Sequence, residues 1–315
     1  MKVVSIIVPC FNEEQAIMLF YHEIKKVMLP SDMDFEILFV DDGSSDGTIN
    51  VIKEIAKKDA RIKYLSFARN FGKESAMYAG LCNAKSDYVT VMDADLQDPP
   101  TLLPKMIAIL ESGEYDSVAT RRIDRKGDPQ IRSWFAKRFY RVFNKCSDMK
   151  IVEGARDYRL MSRRMVDAVI AMGEFNRFSK GIYAWVGFKT YWMTYENAPR
   201  AAGDTKWGFW KLMRYAFDSI TNFSDAPLKI ASFIGSIMAI FSFFAMIFIV
   251  VRKLIFGDSV SGWASTICIM VFVGGIQLAV LGLIGEYLSK IFTETKDRPH
   301  YIIQDSNIEG CKKIN

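Results

Sequence analysis

Two stretches near the C-terminal end, Ile230 to Val251 and Val260 to Gly285, run without a single charged residue. About 20 apolar residues are enough to cross the hydrocarbon core of a bilayer. Soluble helices of such length normally carry a polar stripe, and these carry almost none. Only Arg252–Ser259 separates the two runs, so they read as a transmembrane helical hairpin. The competing reading is a pair of helices buried in a large soluble core. Two crossings return the chain to the side it left. Met1-Lys2 is followed only by the short run Val3–Val8 and then Pro9, which does not read as a signal peptide. Residues 1–225 are therefore expected in the cytosol. Lys290, Lys296 and Arg298 beyond the second run agree with the positive-inside rule. Arg252 and Lys253 in the outer turn oppose it mildly and are expected to snorkel.

The remaining sequence alternates strand and helix. Val3–Val8, Phe35–Val40, Ile62–Phe67 and Tyr88–Met92 are short apolar runs rich in β-branched and aromatic residues. Between them Glu13–Met28 and Gly72–Lys85 carry helical periodicity. This order predicts an α/β fold around a mostly parallel sheet. Ligands of such sheets sit beyond the carboxyl ends of the strands. Three polar clusters fall there: Pro9-Cys10-Phe11-Asn12, Asp41-Asp42 and Asp93-Ala94-Asp95. There is no GxGxxG after the first strand and no GxxxxGK[ST], which disfavours dinucleotide and P-loop chemistry. Forty-one Lys and Arg against 36 Asp and Glu give +5, too mild a charge to point to nucleic acid. Five scattered cysteines without a CxxC read as reduced thiols, and two histidines leave little room for a zinc cage or a Ser-His-Asp triad.

The residue types at the predicted edge narrow the chemistry. Asp93 and Asp95, two carboxylates at i and i+2 after a strand, can turn toward one hard cation, Mg²⁺ or Mn²⁺, with Gln97 as a further oxygen donor. A carboxylate of the Asp41-Asp42-Gly43-Ser44 turn can accept a hydrogen bond from a nucleobase imide. Arg69-Asn70-Phe71-Gly72-Lys73 opens a helix, where backbone amides, Arg69 and Lys73 make an anion site. Arg121, Arg122, Arg125, Lys126 and Arg132 form a basic cluster suited to a lipid phosphate. Two stretches have an aromatic face and a basic face. Gln130–Lys145 sets Ile131, Phe135, Phe139 and Val142 against Lys137, Arg138, Arg141 and Lys145. Lys206–Ile220 sets Trp207, Trp210, Met213, Phe217 and Ile220 against Lys211 and Arg214. Beside a membrane hairpin, both are expected to be interfacial helices.

Taken in order, Val8–Glu13, VDDGSSDGT at Val40–Thr48, RNFGKESA at Arg69–Ala76, DADLQDPP at Asp93–Pro100 and RDYRLMSR at Arg156–Arg163 resemble glycosyltransferase family 2. The similarity is to its polyprenyl-phosphate glycosyltransferases, related to dolichol-phosphate mannose synthase, and covers nearly the whole chain. The two C-terminal runs match the bacterial branch that glycosylates undecaprenyl phosphate. The resemblance implies a GT-A catalytic domain over 1–225, including interfacial helices near 130–147 and 206–222. Two transmembrane helices over 226–290 and a cytosolic tail over 291–315 follow.

It further implies a nucleotide-sugar donor, a divalent metal and inversion at the anomeric carbon. UDP-glucose and UDP-N-acetylglucosamine lead as donors, with mannose from GDP and aminoarabinose open. Carried over position by position, Pro9, Phe11, Asn12, Glu13 and Asp42 hold the nucleoside. Asp93, Asp95 and Gln97 hold the metal and diphosphate. Arg122 and Arg132 take the acceptor phosphate, and Arg200 with Lys206, in a GDTKW stretch, closes over the donor. Asp157 matches the carboxylate proposed as catalytic base. The setting is the cytoplasmic side of a bacterial plasma membrane. Gly274, Gly275, Gly282 and Gly285 permit close helix packing, and a homo-oligomer as large as a tetramer is expected. A processive polysaccharide synthase is a rival, but no QxxRW-type string is present. A membrane scaffold with a degenerate nucleotide fold is a second rival, opposed by the intact DxD, the paired arginines and Asp157.

Overall fold

A computed structural model describes residues 2–27, 30, 32–122, 138, 140–141, 143–145, 150–195, 221–222, 224–256 and 262–309. The first part of the chain alternates as expected: β1 (Lys2–Cys10), α1 (Glu14–Lys26), β2 (Met33–Asp41), α2 (Thr48–Lys58), β3 (Ile62–Phe67), α3 (Lys73–Asn83) and β4 (Tyr88–Val91). Then come α4 (Leu103–Glu111), β5 (Ser117–Arg122), β6 (Ala155–Ser162), α5 (Arg163–Ala171), α6 (Ser179–Trp185) and β7 (Thr190–Tyr195). Two long helices, α7 (Ala226–Phe256) and α8 (Trp263–Thr295), precede a last strand, β8 (Ile303–Ser306).

The described strands form one sheet in the order β7-β5-β6-β4-β1-β2-β3-β8. β1 is central and pairs in parallel with β2 and β4. Val4, Ile6, Ile7 and Val8 are fully buried, which is why this strand reads as an unbroken apolar run. Ile6 and Val8 face a core completed by α1, α2 and α4, while Ile7 faces one completed by α3, α5 and α6. The pairing of β1 with β4 ends at Ile7 opposite Val91, so Pro9 costs that ladder no hydrogen bond. On the second face α3 lies so close that a Cβ at Gly80 would stand 2.3 Å from Ile7 Cγ2.

The sheet is mixed. β6 runs antiparallel to β4 and β5, and β5 runs parallel to β7. By this topology the ends of β5 and β7 and the start of β6 lie on the same edge as the carboxyl ends of β1 to β4. The segment expected as a tail contributes β8, antiparallel to β3 with Leu65 opposite Ser306. Tyr301 stacks on Phe67 at 5.1 Å, and Ile303 is 7% exposed within the second core.

Two windows of the long helices, Ala226–Ile249 and Ile269–Thr295, have mean hydropathies of 2.3 and 2.0 and no buried residues. Phe241, Leu254 and Phe272 are 74%, 81% and 66% exposed. Helices of a soluble core would hide these side chains. The last turns of α8 meet both the start of α7 and the sheet domain: Tyr287 donates to Ser224 O at 2.7 Å, and Glu294 accepts from Phe175 N, in the loop after α5, at 2.9 Å. A Cβ at Gly274, Gly275, Gly282 or Gly285 would meet nothing within 4 Å, so these glycines do not seat α8 on α7.

Most of the two amphipathic stretches lies outside the described residues. Of the first, residues 138, 140–141 and 143–145 are helical. Phe143 is buried against Phe178 and Ile151, while Arg138, Arg141 and Lys145 are exposed.

Ile303 fastens the returning strand. Ile303→Ala should cost about 2–5 kcal/mol, the range for truncating a buried aliphatic side chain. Urea unfolding of the full chain in detergent checks this; a solvated tail would leave the midpoint unmoved.

Candidate active site

The loops after β1 and β2 are tied to each other. Asn12, at φ 54°, donates its backbone N–H to Ser44 Oγ at 2.9 Å and accepts from Ser45 N at 2.8 Å through Oδ1. Glu13 N donates to Thr48 Oγ1 at 2.9 Å. Gly43, at φ 67°, lets this turn pass the next loop, since a Cβ there would lie 2.4 Å from the Arg69 carbonyl carbon. Phe11 stays on the surface, 36% exposed, beside Asn12. Pro9, Phe11, Asn12, Glu13 and Asp42 are thus gathered at one edge.

Asp42 does more than the sequence implies. Its carboxylate is 3% exposed and accepts from Phe71 N at 2.6 Å and Gly72 N at 2.9 Å. The amides expected to bind an anion ahead of α3 are therefore occupied by a carboxylate of the protein itself. Burial raises the Asp42 carboxyl to about 6, against the two amides that favour its charged form. Its neighbour Asp41 accepts from Ser44 N and Ser66 Oγ at 3.1 and 2.8 Å.

This clamp fixes the start of α3, and with it Lys73. In the β4–β6 register Val91 pairs with Arg159, so two residues further Asp93 comes beside Asp157. Lys73 Nζ sits between them, 2.6 Å from Asp93 Oδ1 and 2.7 Å from Asp157 Oδ2. Lys180, on α6, adds a second cation 3.9 Å from Asp157 Oδ1. Burial would raise the Asp157 carboxyl, but Lys73 and Lys180 outweigh it and hold it well below the usual carboxylate range. Burial lowers Lys73 in turn, and the two carboxylates more than reverse that.

The rest of the DADLQDPP loop is braced from the far side. Asp95 Oδ1 caps its own turn by accepting from Gln97 N at 3.1 Å, and Leu96 takes φ 56°. Gln97 Oε1 accepts from Arg156 Nη2 at 3.3 Å, so its carbonyl meets a guanidinium in this structure. Asp98, 2% exposed, accepts from Arg156 Nε at 3.1 Å and from the Tyr195 hydroxyl. Asp98, Arg156, Tyr195 and Lys180 were not singled out from sequence. Their one available signal is that Asp98 and Arg156 lie inside the same short motifs as Asp95 and Asp157. Arg122 ends β5 opposite Tyr195, which puts its backbone on this edge. Arg132, Arg200 and Lys206 lie outside the described residues.

Among the described residues no three His, Cys, Asp or Glu side chains form a metal cage. Asp93 and Asp95 do present two hard carboxylates on one turn. That set fits Mg²⁺ or Mn²⁺, which usually take one or two carboxylates and draw remaining ligands from water and substrate phosphates.

Residues 5–170 match the model for "Glycosyl transferase family 2". The chain is 42% identical over 301 residues to "Prophage bactoprenol glucosyl transferase homolog" of Escherichia coli, covering 96% of this chain and 98% of that one. The chain belongs to glycosyl transferase family 2. It is also 41% identical over 305 residues to "Putative glycosyltransferase CsbB" of Bacillus subtilis, covering 97% and 92%. "Bactoprenol glucosyl transferase" of Shigella phage SfII is 41% identical over 304 residues, covering 96% and 98%. Among solved structures, a mannosyltransferase of Pyrobaculum calidifontis in complex with GDP-Man and Mn²⁺ is similar at TM-score 0.46 and 15% identity, covering 93% and 86%. The mixed sheet with its apolar hairpin is accordingly that of a family 2 glycosyltransferase with two membrane-type helices, and the protein is an enzyme rather than a degenerate scaffold.

Glu74, next to Lys73, links α3 to α6 by accepting from Ser179 N at 3.0 Å and from the Ser179 hydroxyl. Burial raises its carboxyl from 4.5 to about 7, with Ser179 opposing. Between those values the folded enzyme binds more protons than the unfolded chain, so this contribution to stability falls as pH rises from 4.5 to about 7. Glu74→Gln keeps an acceptor for Ser179 and should flatten that part of the stability–pH curve, measured by chemical unfolding across the window.

Proposed function

We propose that this glycosyltransferase moves glucose or N-acetylglucosamine from its UDP donor to undecaprenyl phosphate, with inversion at the anomeric carbon. The reaction would take place on the cytoplasmic face of a bacterial plasma membrane and give a lipid-linked sugar for modifying cell-envelope glycans. The observation that carries this reading is the Asp93–Lys73–Asp157 bridge in a sheet domain tied to both ends of an apolar hairpin. A membrane-bound acceptor phosphate needs a catalytic edge held at a set height. Relatives named bactoprenol glucosyl transferase, aligned over nearly their whole lengths, support the acceptor.

In this reading Pro9, Phe11, Asn12 and Glu13 line the nucleoside, with Asp42 fixing the loop beside it. Asp93 and Asp95 would hold a divalent cation, which when bound supplies Lewis-acid stabilisation of the departing diphosphate. Gln97 acts through Arg156. Arg122, with Arg132, takes the acceptor phosphate, since a guanidinium fork matches phosphate oxygens. Arg200 and Lys206 close over the donor. A homo-oligomer is in keeping with the uncovered glycines of α8.

Asp157 is best read as a positioning group. A phosphate monoester has its second pKa at about 6 and is mostly dianionic at neutral pH, so the nucleophile needs little deprotonation. A carboxylate held strongly acidic by Lys73 and Lys180 is a poor proton acceptor. Its charge orients Lys73 and keeps the acceptor aligned with the anomeric carbon.

The deciding experiment supplies radiolabelled nucleotide sugars to enzyme-bearing membranes containing undecaprenyl phosphate and measures label in the lipid phase. Absence of lipid product with every UDP-sugar would sink the proposal. Two variants test the roles. Asp157→Asn should lower the rate while the acid limb of the pH–rate profile stays near the phosphate's value of about 6. A base role would instead remove or displace that limb. Lys73→Met removes a cation beside Asp93, so Mg²⁺ should bind roughly threefold to tenfold more tightly while turnover falls. Calorimetry in the presence of UDP reads the first effect and initial rates the second.

A further inference from the structure

Behind Asp157, between β6, β7 and α6, lies a cavity of about 240 Å³. It is smaller than the roughly 300 Å³ at which pockets for drug-sized molecules begin, so it suits a small ligand. Four cationic residues line it, Lys150, Arg156, Arg159 and Lys180, and among the described residues no carboxylate does. Arg156 is already paired with Asp98. Arg159 is not paired with an acid: it is 4% exposed, and among the described residues no carboxylate lies within ion-pair distance of it.

What Arg159 does touch accounts for part of its guanidinium. Nη1 donates to Ser117 Oγ at 3.2 Å and Thr190 Oγ1 at 3.4 Å. The plane is flanked by the rings of Tyr183 at 4.6 Å and Trp192 at 5.3 Å. Two polar atoms remain. Arg159 Nε and the Tyr183 hydroxyl are both buried and without a hydrogen-bond partner, and both residues line this cavity. A buried donor left unpaired is costly, and Asp157, the acid that acts on Arg159, does so from beyond ion-pair distance. Lys180 stands at the same wall and reaches Asp157 only at 3.9 Å, a loose contact that leaves its other donors directed elsewhere. Three donors of high polarity around a cavity with no acid describe an anion's environment, not that of a neutral sugar.

We propose that this cavity is a second anion site, which takes phosphate or a phosphate monoester on Arg159, Lys180 and Tyr183. It is distinct from the donor loops and from Arg122, and it does not depend on which sugar is transferred. Lys180 belongs to both the cavity and Asp157, so an anion bound here draws one of the two cations away from that carboxylate. The chemistry is the same whether the phosphate is free in solution or is the headgroup of a polyprenyl phosphate.

The test is calorimetric titration of inorganic phosphate into the full chain in nanodiscs, with UDP and Mg²⁺ saturating so that the donor loops are filled. One saturable site is expected. Tyr183→Phe and Lys180→Met should each weaken it about tenfold or more, the effect of losing one charge-assisted hydrogen bond. Thermal melts of both variants check that they fold, and Tyr183→Phe removes only an oxygen, which guards against a general loss of structure. Repeating the titration in nanodiscs containing undecaprenyl phosphate identifies the source: loss of phosphate binding assigns the cavity to the lipid headgroup, and unchanged binding assigns it to a free oxyanion. No saturable phosphate site, or one indifferent to both substitutions, overturns the proposal and leaves a cavity filled by water. Because binding is read directly, that failure is separate from any failure to find glycosyl transfer.

Discussion

Two carboxylates forced side by side by strand register need a cation, and the ammonium of Lys73 supplies it. Asp93 and Asp157 come from strands that lie next to each other only in the folded sheet, so their mutual repulsion arises as the sheet forms. Lys73 relieves it from the first turn of a helix whose position is fixed twice. Gly80 lets α3 sit against Ile7 of the central strand, and Asp42 pins the two residues before the helix. The loops after β1, β2, β3 and β4 are thereby joined through one charge network. Asp98, Arg156 and Tyr195 extend it to β6 and β7.

The parts of this arrangement visible in the sequence are those with local signatures. The four parallel strands are apolar runs between turn signals, because both faces of the sheet are covered. The DxD turn, the acidic turn after β2 and the apolar hairpin are likewise contiguous in the chain. What escaped reading depends on distant pairs. Lys73 and Asp157 are 84 positions apart, and nothing local marks them as partners. Asp42 looks like a free turn carboxylate, yet its acceptors are spent on the loop before α3. Gln97 looks like an oxygen ligand until Arg156 is brought over it. The strand Ile303-Gln304-Asp305-Ser306 is short and polar, with one buried side chain to betray it. An edge strand of this kind is built from backbone pairing, to which composition is nearly blind.

The hairpin is attached to the sheet domain at both ends. On the way out, Asn222 Nδ2 donates to Asn176 O at 2.9 Å; on the way back, Glu294 holds the amides of Phe175 and Asn176. At 33 residues α8 is about 50 Å long by its rise per residue, well beyond the roughly 30 Å of a bilayer core. The surplus is the stalk that carries these contacts. The site is thus mounted on two supports, not hung from one flexible linker.

The last strand also imposes an order of events on biosynthesis. β3 is made early, but its edge partner β8 is separated from it by both apolar helices and more than 200 residues. Until Ile303–Ser306 has been made, that edge of the nascent sheet is open, and open edges recruit other strands. Truncation ahead of Ile303 therefore leaves the β3 edge unpaired even when every loop of the candidate site is present.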